Sequence, residues 1–272
     1  MKNTTSMPEG PEVKIVSDFI NSKLHNKDII SIDCISPPYK QKYSEITKEV
    51  NKFLPQKFSS SFCRGKTTFI QLIENKFLAY HLGMTGFWSL DKRKHAHLRI
   101  VTKSSTLYFH DTRRFGNIKL VDRKLLDTKY DINLDLLNNT ISVNKQAEFI
   151  ISLINTNREV CKVLLDQRYF LGVGNYLKSE ILFKSNIHPN TRWNKLTFKE
   201  KLSICHNTKE EMIKSYHHGG AQLRDFKNPN ISSSLKLNVY NKKTVEGKKI
   251  IKKITADNRI SYWCPEEQKV KN

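Results

Sequence analysis

Apolar residues recur close to helical spacing at Val13, Val16, Phe19, Ile20 and Leu24, which predicts an amphipathic helix over Pro8–Leu24. Pro8 and Pro11 fit it because both fall in the first turn, where a missing N–H is harmless. The texture then changes to runs rich in Ile, Phe, Thr, Tyr and Val: Ile29–Ile35, Phe58–Ile73, Phe77–Leu90, Leu98–Val101, Leu107–His110 and Asn117–Val121. They are broken by Asn75-Lys76, Ser104-Ser105 and glycines, and predict a β-sandwich or barrel after one helix. Beyond Asp122 helical patterning returns over Leu134–Leu137, Lys145–Asn155, Glu159–Leu165, Asn175–Lys184 and Phe198–Tyr216. Gln222–Ser234 reads as a loop, and Gly247–Cys264 as a β-hairpin turning at Asp257-Asn258. The expected fold class is α+β: a helix plus β-sandwich over 7–125, a linker over 126–140, a helical domain over 141–235 and a closing hairpin over 236–268.

Charge narrows the function. Lys and Arg number 47 against 26 Asp and Glu, a formal net charge of +21. A protein this basic calls for a polyanionic partner, and nucleic acid is the first choice over a merely cationic surface. No apolar run approaches the ~18 residues of a membrane span, so no membrane partner is expected. Met1–Ser6 lack an apolar secretory segment, which predicts an intracellular protein of nucleus or cytoplasm. The five cysteines are scattered with no C-x-x-C, so reduced thiols, no cysteine-based metal site and no cofactor are expected.

Five stretches carry candidate chemistry. In Met7-Pro-Glu-Gly-Pro-Glu, a Pro8 freed of preceding residues would be a secondary amine able to form an iminium with an aldehyde-like carbon, and Glu9 could donate a proton beside it. The same residues suit a plain helix start. Arg64-Gly-Lys66 sets Lys66 after a glycine turn, either to grip a phosphate or as a solvated hairpin charge. In His81-Leu-Gly-Met-Thr-Gly86, flanking glycines would push Met84 outward as a wedge between bases, or leave it as core filler. In His110-Asp-Thr-Arg-Arg-Phe-Gly116, Arg113 and Phe115 share a side if the segment is extended, and suit stacking and phosphate contact. The Asp166–Leu182 stretch places a glycine-rich turn and Asn175 at a helix N-terminus, a phosphate-binding arrangement.

Together these motifs resemble the formamidopyrimidine-DNA glycosylase/endonuclease VIII family, in the family's order, from Met7 to about Gln268. The form Asp-Gln-Arg-Tyr-Phe with Gly-Asn-Tyr-Leu is most similar to its endonuclease VIII-like 1 branch, giant-virus relatives included. The resemblance implies an N-terminal helix plus β-sandwich, then a helix–two-turn–helix domain. It implies a monomeric bifunctional DNA glycosylase/AP lyase of base-excision repair acting on double- or single-stranded DNA. Such an enzyme flips out an oxidised base, in this branch a pyrimidine or a hydantoin. On this resemblance Pro8 is the nucleophile, Glu9 the proton donor and Lys66 the proton donor in elimination. Met84, Arg113 and Phe115 fill the hole left by the flipped nucleotide, His95 contacts DNA and Asn175 a phosphate. The family often ends in a four-cysteine zinc finger. This chain has only Cys264 there, which implies the branch's zincless finger, with Lys248–Ile254 and Arg259–Cys264 as strands and Arg259 on the lesion-side phosphate.

Pro8 sets a condition. If Met1–Met7 stay attached, its nitrogen is an amide and cannot attack C1′. Initiation at Met7 is the expectation, with removal of residues 1–7 as the other route. A chain left blocked would be a damaged-DNA-binding protein without chemistry, and a basic structural protein of a nucleoprotein particle is a third reading.

Overall fold

The computed structural model describes residues 7–221 and 233–271. By contacts the chain divides into two units. One comprises Met1–Pro8, Glu12–Lys129 and Gly219–Ser233; the other comprises Glu9–Pro11, Tyr130–His218 and Ser234–Asn272. Most of the loop expected over Gln222–Ser234 lies outside the described residues.

The first unit holds α1 (Gly10–Leu24) from Glu12 onward, then β1 (Asp28–Cys34), α2 (Pro37–Asn51), β2 (Gln56–Lys57), β3 (Ser61–Arg64), β4 (Thr67–Ile73), β5 (Lys76–His81), β6 (Phe87–Ser89), β7 (Ala96–Thr102), β8 (Thr106–His110), β9 (Asn117–Asp122) and α3 (Arg123–Lys129). Its strands form two antiparallel sheets, β2-β1-β7-β8-β6 and β3-β4-β5-β9. Tyr80 of β5 meets Trp88 of β6 and Phe109 of β8 at 5.5 and 6.2 Å between centroids, which joins the two sheets through one aromatic core. Val13, Val16, Phe19, Ile20 and Leu24 of α1 are all buried, as their spacing requires. The α1 helix is pinned to β3 by Ser17 against Ser61 at 3.0 Å and by Asn21, whose amide bonds both Ser61 backbone groups at 2.7 Å.

Two expectations change here. Helix α2 escapes the sequence pattern, because it starts with two prolines and its buried face is Tyr39, Tyr43, Thr47 and Val50 rather than an aliphatic stripe. The long runs Phe58–Ile73 and Phe77–Leu90 are each interrupted: by a turn at Gly65-Lys66, and by the bend Leu82–Gly86.

The second unit holds α4 (Val143–Leu153), α5 (Val160–Leu165), α6 (Asn175–Lys184) and α7 (Phe198–His217), close to the helices expected. Its four short closing strands are β10 (Thr244–Val245), β11 (Lys248–Lys249), β12 (Ile251–Ile254) and β13 (Ile260–Trp263). Leu134–Leu137 is not helical; a single 3-10 turn over Ile132–Leu134 precedes buried Leu136 and Leu137. The strand expected over Lys248–Ile254 is split. Glu246 and Gly247, both at positive φ, fold β10 onto β11, while β12 pairs with β13. Ile250, Tyr262 and Trp263 are buried, but Ile254 is 64% exposed.

No helix among the described residues is long and apolar enough to cross a membrane.

Candidate functional site

The predicted site residues fall into two groups, one in each unit. In the second unit the segment Glu9–Pro11 docks on the glycine-rich turn before α6. Gly10 N–H donates to Gly172 C=O at 2.9 Å. The Glu9 carboxylate is 1% exposed, and it accepts from the backbone N–H groups of Gly174 (2.6 Å), Tyr176 (2.9 Å) and Leu177 (3.3 Å). These are the orphan donors of the first turn of α6, whose own N-cap, Gly174, has no side chain to satisfy them. A helix cap is thus supplied from 165 residues away, and the helix's positive end faces the carboxylate. Gly174 can only be glycine, since a Cβ there would lie 2.3 Å from the Glu9 Cδ.

This corrects one expectation. Three of the N–H groups at the start of α6, those of Gly174, Tyr176 and Leu177, are taken up by Glu9 rather than left for a phosphate. The Asn175 side chain at this helix start is half-buried, and its Nδ2 donates to Ile260 C=O at 2.9 Å. Ile260 follows Arg259, so the structure brings Asn175 beside the backbone of Arg259. Arg259 is exposed, and its backbone closes the turn by accepting from Thr255 N–H at 3.0 Å.

The closing hairpins are held without a ring of cysteines. Lys248 pairs with Glu267 at 2.5 Å, Tyr240 meets Tyr262 edge-on at 5.0 Å, and the Cys264 N–H donates to Gln268 Oε1 at 2.9 Å. Glu180 binds the loop leading into them through the N–H groups of Asn238, Val239 and Tyr240. Among the described residues no three His, Cys, Asp or Glu side chains are placed to hold a metal ion, so the residues present do not fit a zinc finger.

In the first unit, Lys66 sits with Gly65 in the two-residue turn joining β3 to β4; Gly65 has φ 58°, as a tight hairpin turn needs. Its cationic neighbour Arg64 is paired with Asp127 at 3.0 Å. Thr67, next to Lys66, is in register with His81 of β5. The His81 ring is fixed by Gly83 N–H donating to Nδ1 at 2.9 Å, and burial, then the Lys66 charge, hold its pKa below the usual imidazole value.

Met84, His95, Arg113 and Phe115 gather around Asp111, which is fully buried. Asp111 Oδ1 accepts from the Thr85 hydroxyl at 2.5 Å, and Oδ2 from Gly116 N–H at 2.7 Å. The Thr85 oxygen in turn accepts from Arg113 N–H at 3.1 Å, and Asp111 N–H donates to His95 C=O at 3.1 Å. One residue therefore ties together the loops bearing all four. Met84 is half-buried rather than fully open, while Arg113, Phe115 and His95 are exposed. Arg113 stacks over the Phe115 ring at 4.7 Å, so the two do share a side. They reach it through a turn with Arg114 at φ 57°, not through an extended segment. Gly83, at φ 64°, is needed because a Cβ would fall 2.6 Å from Gly116 N.

Sequence reasoning misses Thr85, His81 and Asp111 as site residues, although they lie inside the candidate motifs. Short polar residues beside glycines are the signal that could have flagged Thr85 and Asp111 as loop ties.

A helix plus two-sheet unit followed by a helical unit with closing hairpins is the architecture of a known class of DNA-repair proteins. The structure of Lactococcus lactis Fpg in complex with DNA containing an abasic site superposes with a TM-score of 0.79 at 22% identity, covering 96% of this chain and 99% of that one. The MutM (Fpg) protein of Thermus thermophilus gives 0.78 at 23% identity, covering 97% and 100%. In sequence, residues 7–118 match the formamidopyrimidine-DNA glycosylase N-terminal domain and 121–227 the H2TH domain of the same proteins. The formamidopyrimidine-DNA glycosylase of Bacillus cereus is 30% identical over 95% of this chain and 98% of its own length. That of Zymomonas mobilis is 28% identical over 97% and 100%. The chain belongs to the formamidopyrimidine-DNA glycosylase family, and at that level it is an Fpg-like DNA glycosylase of base-excision repair.

Proposed function

We propose that this chain is a bifunctional DNA glycosylase/AP lyase acting through Pro8. The Pro8 nitrogen forms a bond to C1′ of the damaged nucleotide as the bond from C1′ to the base breaks. The nitrogen lone pair then opens the sugar ring by breaking the C1′–O4′ bond, O4′ takes up a proton, and the iminium so formed acidifies C2′, so that β- then δ-elimination expels the phosphates on both sides. The observation that carries this reading is the Glu9 carboxylate, buried and held by three backbone N–H groups one residue from Pro8. Those donors fix the carboxylate in place beside Pro8, which suits a group that relays a proton between the Pro8 amine and the sugar. Lys66 donates the proton during elimination. Arg259 and Asn175 hold a phosphate next to the lesion, Met84, Arg113 and Phe115 fill the emptied stack, and His95 contacts the DNA.

The chemistry requires a Pro8 with a free amine. The family match starts at residue 7, which supports a working chain that begins there and loses its methionine. Borohydride trapping on a duplex with an abasic site, followed by N-terminal sequencing of the adduct, tests this. Trapped protein starting at Pro8 is expected. An intact Met1 on trapped, active protein would overturn the assignment, and retention of the duplex without scission would leave a damaged-DNA-binding protein.

The proposed substrates are oxidised pyrimidines and hydantoins, in line with the branch whose finger lacks zinc ligands. The hairpins held by Lys248–Glu267 and by aromatic packing support that affinity. Excision rates on duplexes bearing a hydantoin, an oxidised pyrimidine, a formamidopyrimidine or 8-oxoguanine decide it. Faster release of the last two would refute this preference.

A further inference from the structure

The α6 helix buries Tyr176, Leu177, Ile181 and Leu182, and among them a lysine, Lys178, whose side chain is 0% exposed. Its ammonium donates to Asn175 Oδ1 at 2.9 Å and to Asp257 Oδ2 at 2.5 Å, and the Asp257 side chain is 3% exposed. Burial pulls the Lys178 pKa down against the opposing charge of Asp257. A buried ion pair of this kind rarely outperforms apolar packing as a source of stability. Its geometry shows another use.

With Oδ1 held by a cation, the Asn175 amide has one orientation. Turning it over would set its NH2 against the ammonium and its oxygen against the Ile260 carbonyl. The Nδ2 end is thereby fixed on the Arg259–Ile260 side, with a second hydrogen still available. Asp257 performs the matching task in the turn. While Oδ2 is held by Lys178, Oδ1 accepts from the Thr255 hydroxyl at 2.6 Å and from Arg259 N–H at 3.4 Å. Lys178 thus stands between the amide of Asn175 and the turn that presents Arg259, while being too buried to touch DNA itself.

We propose that Lys178, with Asp257 as its counter-ion, is a positioning residue that locks Asn175 and Arg259 into a single phosphate clamp. This rests on the reading of those two residues as phosphate contacts. The test measures Kd of the full chain for a duplex with a tetrahydrofuran abasic analogue. The variants are Asn175→Ala, Arg259→Ala and Lys178→Met, and the first two again in the Lys178→Met background. Each single change is expected to weaken binding about tenfold, the scale of a lost charged hydrogen bond. In the Lys178→Met background, adding Arg259→Ala or Asn175→Ala is expected to cost less than about twofold more, because coupled residues are not additive. Equal factors in both backgrounds would overturn the proposal, even if Lys178→Met lowers Tm, since that is what a merely structural lysine predicts. Asp257→Asn, which keeps the shape of the turn, must abolish the same coupling and replaces Lys178→Met if that variant does not fold. Unchanged Kd for Asn175→Ala and Arg259→Ala in the otherwise unaltered chain would instead refute the clamp reading.

Discussion

Glu9 shows how much one side chain can do when its neighbours leave room for it. Gly174 has no Cβ, so the carboxylate reaches the first turn of α6 and serves as its cap. Gly174→Ala should therefore displace Glu9 and lower the excision rate at least tenfold, with a stability loss of about 1–3 kcal/mol from overpacking. Excision kinetics and urea unfolding check it together; a variant with native rates would show that the position of Glu9 does not matter. Glu9→Gln keeps the size but turns two hydrogens toward N–H donors, and the proton relay proposed for Glu9 requires base excision to fall roughly 100-fold. Both partners were readable in the sequence as separate motifs, Met7-Pro-Glu-Gly and Gly172-Val-Gly-Asn175. That one caps the other was not, because the cap joins residues 165 apart and leaves no local spacing to detect.

Among elements, the clearest device is the buried Asp111, which binds the Met84 bend, the His95 turn and the Arg113–Phe115 loop. Thr85→Val removes its hydroxyl donor and the acceptor for Arg113 N–H without changing volume much. It should cost about 1–3 kcal/mol in urea unfolding, the penalty for a buried group left unpaired. On the proposed role of Met84, Arg113 and Phe115 it should also reduce discrimination between lesion-bearing and undamaged duplexes in a competition assay, since these residues lose their common anchor. Equal discrimination with reduced stability would separate the anchor from DNA reading. Helices with aliphatic faces, such as α1, were legible from pattern alone, and the α7 helix read over Phe198–Tyr216 proves to open on a capping box of Thr197 with Glu200. Helix α2 was not, because Tyr and Thr supply its buried face. The finger strands were misjudged for a related reason: a lysine- and isoleucine-rich run carries no sign that Glu246-Gly247 will fold its first residues back onto Thr244-Val245.

For the whole molecule, buried imidazoles set an acid limit. Burial is the leading cause that holds His81, His97 and His110 below the usual value. His97 shows why: its Nε2–H donates to Asp111 C=O at 2.9 Å while Nδ1 faces the Ser36 hydroxyl at 2.7 Å, a pairing that suits the neutral ring. As pH falls, the unfolded chain takes up these protons first, at an ordinary histidine pKa of ~6.5. The stability they contribute is complete above that pH and is lost as pH drops below it toward their folded values. Tm should be level from about pH 8 to 7 and decline toward pH 5; a midpoint that rises on acidification would contradict this. The charge of +21, the β-branched and aromatic runs that make the sheets and the ordered run of motifs are properties of composition and local spacing, so the sequence by itself determined the class of partner, the fold class and the family. The capping of α6 by Glu9, the convergence of three loops on Asp111 and the Lys178 bridge between Asn175 and the Asp257 turn were decided only by the tertiary structure. Each depends on a polar group that burial strips of water and that must find its partner in a distant part of the chain.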